Sequence, residues 1–356
     1  MSNVINNFVK PIGMSASIRA AVKELDKESI DTLVVVDNNQ AVLGVFTMGD
    51  FRRAVLTGFD INDPIVTLVS ADYIYVKEGY SRRTVINLFN NNPMVLSIPV
   101  LDGRNNLKGV IERSQYPEAK DKVLLDSSID VVIMAGGKGT RLDPFTRILP
   151  KPLIPIGKDP IIKVIMDEFS QYGASSFYLS VNEKSKMIKA YLSDQDFSYQ
   201  IKYIEEDKPL GTAGSLCFFN GSIKNNIIVS NCDVIVKSNY ASMVEHHESE
   251  GYDLTIVSSI QHYTIPYGVC IINKSGEFDE ILEKPENSYL VNTGMYILGP
   301  KVFSLIPKNE YFDMTDLIIA AKENGLKVGV YPVSEKSWID IGQWGVYREA
   351  LNKMNI

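Results

Sequence analysis

The sequence predicts an α/β protein of two parts, in which a duplicated helix-strand-turn-strand unit precedes a domain built on a mainly parallel sheet. Three observations support this prediction. Residues 33–46 and 98–111 repeat one pattern of apolar and polar residues. From residue 129 onward, short apolar runs alternate with helical patterns, which favours a sheet covered on both faces. At residues 134–142 an apolar run ends in a glycine-rich turn.

Each copy of the repeat contains an apolar strand, an aspartate, a polar turn and a Gly-Val pair. Asp37 precedes Gly44 by seven residues, and Asp102 precedes Gly109 by the same separation. Apolar residues at helical spacing precede each copy, and they are Ile18, Val22 and Leu25 in the first and Val85, Leu88 and Phe89 in the second. We therefore expect two similar units that pair sheet against sheet within residues 1–120.

The repeat resembles a tandem CBS module, or Bateman domain. In that family a Thr or Ser, followed three residues later by Asp, contacts the ribose and phosphate of an adenine nucleotide. The first copy keeps this pattern at Thr47 and Asp50, whereas the second has Glu112 and Gln115. The resemblance therefore implies at most one adenine-nucleotide site. A module that only mediates self-association, giving a homo-oligomer, is the alternative.

A polar segment at residues 117–128, rich in Lys, Asp and Glu, has the composition of a linker. The second domain is therefore expected at residues 129–356, with its ligand at the carboxyl ends of the strands. In this domain the patterns predict strands at 177–181, 227–230, 254–260, 269–272 and 278–282, and helices at 161–172 and 240–250.

The glycine-rich turn reads Met-Ala-Gly-Gly-Lys-Gly-Thr-Arg-Leu, and Pro-Lys-Pro follows at residues 150–152. Glycines lack a Cβ, so backbone N–H groups can approach a polyphosphate closely. The spacing excludes a P-loop, which needs Gly-x-x-x-x-Gly-Lys before Ser or Thr. It also excludes the dinucleotide motif Gly-x-Gly-x-x-Gly, whose third glycine would fall on Leu142. The turn is thus a candidate nucleotide site of another kind.

This stretch resembles the first motif of the nucleotidyltransferase (NDP-sugar pyrophosphorylase) family, GGxGTRL followed by PKP. The resemblance implies a Rossmann-like mixed, mainly parallel sheet of the GT-A-like type, and a reaction between an NTP and a sugar 1-phosphate. A later Pro-Leu-Gly-Thr-Ala-Gly segment matches the family's nucleoside-binding segment, whose glycines let the base approach. The implied nucleotide-binding residues are Ala135, Gly136, Gly137, Gly139, Thr140, Pro209, Gly211 and Thr212.

The implied reaction is attack by a phosphate oxygen on the α-phosphorus of the NTP, with pyrophosphate leaving. It needs no protein nucleophile, but it needs two anions to be held together and their repulsion cancelled. Arg141 offers a forked donor for the β and γ phosphates. Lys151, between two prolines, offers a point charge for the α-phosphate and the sugar phosphate. With Asp233, these are the expected catalytic residues.

Two aspartates are the expected metal ligands. Asp233 follows an apolar strand, and in the resembled family this aspartate binds Mg²⁺, although Cys232 stands where Gly is usual. Asp340 matches the family's late W-x-D-x-G motif. Two carboxylates with phosphates and waters suit Mg²⁺. A helix N-cap is the structural alternative for either aspartate.

The resemblance places sugar-phosphate recognition at Gly268, Glu283, Lys284, Asn292 and Thr293. Carboxylate and amide groups form directional hydrogen bonds with sugar hydroxyls, which suits the glutamate and the asparagine. Neighbouring Glu and Lys residues are otherwise common on protein surfaces, so the pair carries weight through its place after a predicted strand.

Composition narrows the ligand class. A net charge of −7 argues against a nucleic-acid surface. Three cysteines, an odd number, suit a reducing compartment. No membrane span is evident and the N-terminus is polar, so a cytoplasmic protein is expected. His246 and His247 are adjacent and His262 stands alone, so surface or satisfied histidines are expected rather than metal ligands.

These observations predict a Mg²⁺-dependent transferase that makes an NDP-sugar for surface glycans. GTP with a mannose or hexosamine 1-phosphate is favoured, on resemblance alone. A thymidylyl-, uridylyl- or cytidylyltransferase of the same fold is one alternative. Another is a catalytically impaired regulatory protein that works through the CBS pair, against which the presence of Arg141, Lys151, Asp233 and Asp340 argues.

Overall fold

The computed structural model of the chain describes residues 11–28, 30, 32–116, 124–137, 139, 142–182, 184–219 and 221–342. Within them, two three-stranded sheets lie in the repeat region, and a seven-stranded sheet forms the centre of the second domain. No helix in these ranges is long and apolar enough to cross a membrane.

The two repeat units have one topology. The first consists of β1 (Ile12–Gly13), α1 (Ile18–Glu28), β2 (Thr32–Val36), β3 (Val42–Thr47) and α2 (Met48–Thr57). The second consists of β4 (Val76–Lys77), α3 (Arg82–Asn91), β5 (Ser97–Leu101) and β6 (Leu107–Glu112). In each unit the short first strand runs parallel to the central strand, which pairs antiparallel with the third. The predicted duplication is confirmed.

The apolar residues and the aspartates explain why both units fold alike. Ile18 and Val22 on α1 are fully buried against β2 and β3, as are Val85 and Phe89 in the second unit. In the first turn the Asp37 carboxylate accepts hydrogen bonds from two backbone amides, at 2.8 and 2.9 Å. Asp102 accepts the equivalent pair at the same distances. The two turns meet where Ala41 and Asn106 form an isolated β-bridge.

The second domain is built on a mixed sheet of strand order β11-β10-β7-β12-β17-β14-β18, in which β17 alone runs antiparallel to its neighbours. Apolar clusters cover both faces. Its strands are β7 (Asp130–Met134), β8 (Pro155–Ile156), β9 (Asp159–Pro160), β10 (Ser176–Val181), β11 (Gln200–Glu205), β12 (Ile227–Asn231), β13 (Val234–Val236), β14 (Leu254–Thr264), β15 (Val269–Ile272), β16 (Phe278–Leu282), β17 (Glu286–Leu298), β18 (Val328–Val333) and β19 (Trp338–Asp340).

Its helices are α4 (Phe145–Ile148), α5 (Ile161–Ser170), α6 (Ser185–Ser193), α7 (Gly211–Gly214), α8 (Tyr240–Ser249) and α9 (Met314–Glu323). The predicted strands and both predicted helices are present, with ends shifted by a few residues. However, β15 and β16 form a separate exposed hairpin rather than part of the central sheet. A run of apolar residues therefore predicted the strands but not their exposure.

The end of the predicted linker belongs to the second domain. Leu125 is buried in that domain's core, and its N–H donates to the carbonyl of Tyr172 at 2.7 Å. Leu124 lies against Gly173. Residues 117–123 lie outside the described ranges, so the boundary between the two domains stays a prediction.

The first repeat unit packs directly on the second domain. Ile260 of β14 is 2 % exposed and joins the apolar core of this unit. The Arg52 guanidinium lies 4.5 Å from the ring centroid of Tyr331 on β18. Arg19 donates from Nη1 to the Glu286 carbonyl at 2.9 Å and to Ser288 Oγ at 3.0 Å. An apolar face and several polar contacts thus hold the two parts together.

Candidate active site

A buried ion pair lies at the centre of the site. Lys151 opens a short 3₁₀ turn and is flanked by two prolines, which restrict its backbone. Its ammonium pairs with the carboxylate of Asp233, and both residues are less than 10 % exposed. Asp233 follows β12, at the carboxyl end of a central strand. The two side chains, 82 residues apart in the chain, are thereby fixed against each other.

Asp340 reaches the same place through a short antiparallel ladder, in which Val234 of β13 pairs with Asp340 of β19. The Ile341 N–H donates to the carbonyl of Asp233 at 2.8 Å. The Gly342 N–H donates to Asp340 Oδ1 at 2.7 Å. A Cβ at Gly342 would clash with Asp233 Oδ2 and lie 2.9 Å from Asp340 Oδ1. The two carboxylates therefore face one point, and the glycine keeps it open.

A cavity of about 250 Å³ opens beside these groups. Its lining is predominantly polar and comprises Asn231, Asp233, Val234, Asn292, Thr293, Gly294, Tyr296, Trp338 and Asp340. Two carboxylates at such a cavity fit Mg²⁺, which is commonly held by one or two carboxylates together with phosphate oxygens and water. Lys151 and Mg²⁺ would share Asp233 as their anionic partner.

The glycines of the predicted phosphate turn have different roles. Gly139 has a φ of 66°, and a Cβ there would lie 2.9 Å from Lys151 Cβ. A Cβ at Gly136 would lie 2.9 Å from Glu206 Oε1. A Cβ at Gly137 would have no other atom within 4 Å. Two of these glycines thus make room for side chains, and Gly137 faces space that a ligand can enter.

The remaining residues of this turn are only partly described. Ala135 is 2 % exposed, and its N–H donates to the Ser180 carbonyl at 2.8 Å. Thr140 and Arg141 lie outside the described residues. Their assignments to nucleotide binding and catalysis stay predictions.

Glu206 is a site-forming residue that sequence reasoning did not single out. It is 9 % exposed, accepts a hydrogen bond from Ser180 Oγ, and accepts another from the Leu210 N–H at 3.0 Å. The same carboxylate lies against Gly136. It therefore joins the glycine turn to the segment before α7. Its position at the end of β11, just before Pro-Leu-Gly-Thr, was the available signal.

The Pro-Leu-Gly-Thr segment packs against residues 312–313, which lead into α9. A Cβ at Gly211, which has a φ of 80°, would lie 2.7 Å from the Phe312 carbonyl oxygen. Thr212 donates from its N–H and its hydroxyl to Asp313 Oδ1, at 3.0 and 3.1 Å. Pro209 is exposed. The space left by the missing Cβ of Gly211 is therefore occupied by the backbone of Phe312. The family resemblance had suggested that a nucleotide base would occupy it.

The predicted sugar-binding residues fall into two groups. Asn292 and Thr293 line the cavity, at a β-bulge completed by Gly294 with its φ of 86°. Asn292 donates from Nδ2 to the Tyr296 hydroxyl at 2.8 Å, and Thr293 donates to the Val257 carbonyl at 2.7 Å. Asn292 is therefore oriented beside the cavity, while the hydroxyl of Thr293 supports the bulge.

Gly268 directly precedes the exposed hairpin β15–β16, and Glu283 and Lys284 directly follow it. A Cβ at Gly268 would be 3.1 Å from Glu283 Oε2. They are not among the residues that line the described cavity. Their role in sugar binding stays a prediction, and it would require this hairpin to approach the substrate.

Cys232 precedes Asp233 and is fully buried. Burial raises the pKa of its thiol to about 12, so it stays protonated near neutral pH. A protonated, enclosed thiol is a poor nucleophile and a poor metal ligand. The residue that replaces the family's usual glycine is therefore part of the apolar core.

The predicted adenine-nucleotide residues form a capping box at the start of α2. Thr47 Oγ1 accepts hydrogen bonds from the N–H groups of Gly49 and Asp50, at 3.1 and 3.3 Å. Asp50 Oδ2 accepts from the N–H and hydroxyl of Thr47, both at 2.7 Å, and its other oxygen pairs with Arg53. These contacts account for both side chains by helix capping. Nucleotide binding here stays a prediction.

Comparisons with known proteins agree with this architecture. A uridylyltransferase for UTP and glucose 1-phosphate from Synechocystis sp. is 31% identical over 62% of this chain and 62% of its own. A probable mannose-1-phosphate guanylyltransferase from Oryza sativa subsp. japonica is 30% identical over 60% of this chain and 61% of its own. The chain thus spans about three fifths of the length of these curated relatives.

A crystal structure of HddC from Yersinia pseudotuberculosis complexed with GMP-PN is 28% identical, with a TM-score of 0.50. The likeness covers 64% of this chain and 99% of that one. The family model for CBS domains matches residues 2–57, which include the first repeat unit. The family model for nucleotidyl transferases matches residues 130–355, well over half of the chain, so the chain belongs to the nucleotidyl transferase family.

Proposed function

We propose that this protein transfers a nucleotidyl group from an NTP to a sugar 1-phosphate and releases pyrophosphate. The observation that carries the proposal is that Asp233 and Asp340 line one polar cavity, and that Asp233 also pairs with the ammonium of Lys151. A fixed cation and two carboxylates are the groups needed to bring two phosphate esters together. Two relatives support the same reaction class, since one is a uridylyltransferase for UTP and glucose 1-phosphate and the other a probable mannose-1-phosphate guanylyltransferase.

Each residue has a distinct part in this reaction. The Lys151 ammonium, held by Asp233, is positioned before substrate binds, so little reorganisation is needed to place positive charge beside a phosphate. Asp233 and Asp340 would hold Mg²⁺, which when bound offsets the negative charge of the phosphates. Asn292, oriented by Tyr296, lines the cavity, and its carboxamide would contact the sugar. No side chain has to form a covalent bond with the substrate.

We further propose GTP and a mannose or hexosamine 1-phosphate as the substrates. The guanylyltransferase relative and the HddC complex with GMP-PN support guanine. The uridylyltransferase relative supports UTP as the first alternative. An adenine nucleotide is proposed as the ligand of Thr47 and Asp50, and a homo-oligomer as the assembly.

A pyrophosphate-release assay tests the reaction and its specificity together. Four NTPs are combined with the 1-phosphates of glucose, mannose, glucosamine and N-acetylglucosamine, in the presence of Mg²⁺. We expect one pair, containing GTP, to exceed the others. Absence of pyrophosphate from every pair would refute the transferase proposal and favour a regulatory nucleotide-binding protein.

Lys151→Met tests the catalytic role with the best pair. Loss of a positioned charge is expected to lower kcat by about 10²- to 10³-fold. Lys158→Met is the matched control, because it removes the same charge from an exposed lysine in the same region. Asp340→Asn should raise the Mg²⁺ concentration needed for half-maximal rate. A Lys151→Met enzyme as fast as the control would contradict the assignment.

A further inference from the structure

Three potential metal ligands meet outside the active site, where the first repeat unit contacts the transferase domain. Asp26 lies on α1, His262 on β14, and Glu335 in the 3₁₀ helix Glu335–Ser337. Each offers one ligand atom, and these atoms all lie within 4.8 Å of one another. Because the residues come from both domains, the docking of the domains creates the cluster.

Asp26 contributes a buried carboxylate to the cluster. It is 8 % exposed, and neither of its oxygens has a hydrogen-bond partner among the described residues. Burial raises its pKa to about 6, although the Ser334 hydroxyl and the Glu335 amide are near enough to oppose this. A buried carboxylate whose oxygens have no hydrogen-bond partner among the described residues is unfavourable when it is charged, and a bound cation would relieve this.

His262 is the second residue of the cluster. Its Nε2 is buried and has no hydrogen-bond partner in the described ranges. Its Nδ1 lies 2.8 Å from Ser288 Oγ, which also accepts a hydrogen bond from Arg19. An imidazole that is anchored through one nitrogen can bind a metal ion through the other, and Nε2 has no partner among the described residues.

The neighbouring cations are held by other groups. Lys23 pairs with Glu286, and Arg19 donates to the Glu286 carbonyl and to Ser288. Lys336 donates from Nζ to the Lys27 carbonyl at 2.8 Å. These contacts fix the interface around the cluster.

We propose that Asp26, His262 and Glu335 bind one divalent cation of the zinc class, which bridges the first repeat unit and the transferase domain. One imidazole nitrogen, two carboxylate oxygens and a water would complete a tetrahedral site. Tetrahedral donors at about 2.1 Å from the ion stand about 3.4 Å apart, so the side chains would close by about an ångström. The imidazole favours Zn²⁺ over Mg²⁺, which prefers oxygen ligands only.

Such an ion would lie close in sequence to β19, the strand that carries Asp340. Glu335 precedes Asp340 by five residues in the same segment. The ion would therefore fix α1 against the segment that leads into β19. The site is distinct from the Asp233–Asp340 pair, and its existence does not depend on the proposed transferase activity.

Isothermal titration of the untagged full chain with Zn²⁺ tests this proposal. Excess Mg²⁺ is present throughout, so that the active-site carboxylates are occupied. We expect one tight equivalent of Zn²⁺ per chain, accompanied by a higher Tm. Asp26→Asn and His262→Gln should each weaken binding by about tenfold to a hundredfold or more. Glu24→Gln, which removes the same charge from the same helix, should bind as the wild type does.

Several results would overturn the proposal. Wild-type protein that takes up no Zn²⁺ under these conditions would show that the cluster holds a shared proton or water. An Asp26→Asn variant with wild-type affinity would place the ion elsewhere. So would loss of the tight equivalent in Asp340→Asn, which should retain it. Circular dichroism of both cluster variants excludes misfolding as the cause, and His262→Asn provides a second substitution if one fails to fold.

Discussion

The two repeat units have nearly the same sheet but differ at its end. Strand order, the position of the bulge and the hydrogen bonds of the aspartate turn agree between them. After β3 the first unit forms the ten-residue helix α2, begun by the Thr47–Asp50 capping box. After β6 the second unit forms the three-residue 3₁₀ helix Arg113–Gln115, and the described residues stop at Tyr116. Glu112 makes no side-chain cap, so the two units agree in their sheets and differ in the cap that follows the third strand.

The units also differ in how they meet the transferase domain. The first shares its apolar core with Ile260 and places Arg52 over Tyr331. The second contacts α8 through Met94, whose sulfur accepts a hydrogen bond from Ser242 Oγ at 3.2 Å. Two units with the same sheet therefore contact the transferase domain differently: the first shares an apolar core with its seven-stranded sheet, whereas the second contacts a helix.

The largest expected effect comes from breaking that shared core. Ile260→Ala should lower the free energy of unfolding by about 2–4 kcal/mol, because a buried side chain is truncated and a cavity remains. Urea denaturation measures it. Ile281→Ala, in the exposed hairpin, is the control and should change stability by less than about 0.5 kcal/mol. A similar small value for Ile260→Ala would mean that the units are not joined through this core.

The second prediction compares the pH dependence of stability in the repeat units and in the transferase domain. The three histidines all lie at residues 246–262, outside both units. Burial lowers the pKa of His247 from 6.5 to about 4, so the native ring is neutral. The unfolded chain binds a proton first, and stability should therefore fall as pH decreases from about 6.5 to about 4.

Urea denaturation of the wild type and of His247→Gln across that range measures this dependence. The substitution should flatten the acid side of the stability profile, because the titrating ring is gone. Identical profiles for the two proteins would assign acid sensitivity to other groups. The repeat units, which have no histidine, should keep their structure to lower pH than the transferase domain does.

The smallest effect tests the cap itself. Thr47→Ala should cost about 1 kcal/mol, since it leaves helix N–H groups without a partner. Glu112→Ala, at the matched position of the second unit, should change stability by less than about 0.5 kcal/mol. Thermal unfolding of both variants measures the difference. Equal losses of stability in Thr47→Ala and Glu112→Ala would contradict a special capping role for Thr47.

The variants Asp50→Ala and Glu112→Ala test the adenine-nucleotide proposal. Added adenine nucleotides should alter the transferase rate of the wild type and of Glu112→Ala. They should not alter the rate of Asp50→Ala. A rate change that persists unaltered in Asp50→Ala would remove the proposed ligand site from the first unit.

The amino-acid sequence by itself determined the elements that depend on neighbours in the chain. Apolar runs predicted β10, β12 and β14, helical spacing predicted α1 and α5, and the aspartate turns predicted the duplication. The glycine turn and its family resemblance pointed to the nucleotide site, and the family is confirmed. These features follow from local hydrogen bonding and side-chain periodicity, which a short window of sequence contains.

Tertiary structure alone decided which distant residues meet. It paired Lys151 with Asp233, brought Asp340 to them through β19, and left the β15–β16 hairpin exposed. It also turned His262, isolated in sequence, toward Asp26 and Glu335. Such contacts depend on how sheets pair and domains pack, because burial and long-range pairing choose among side chains that no local pattern relates.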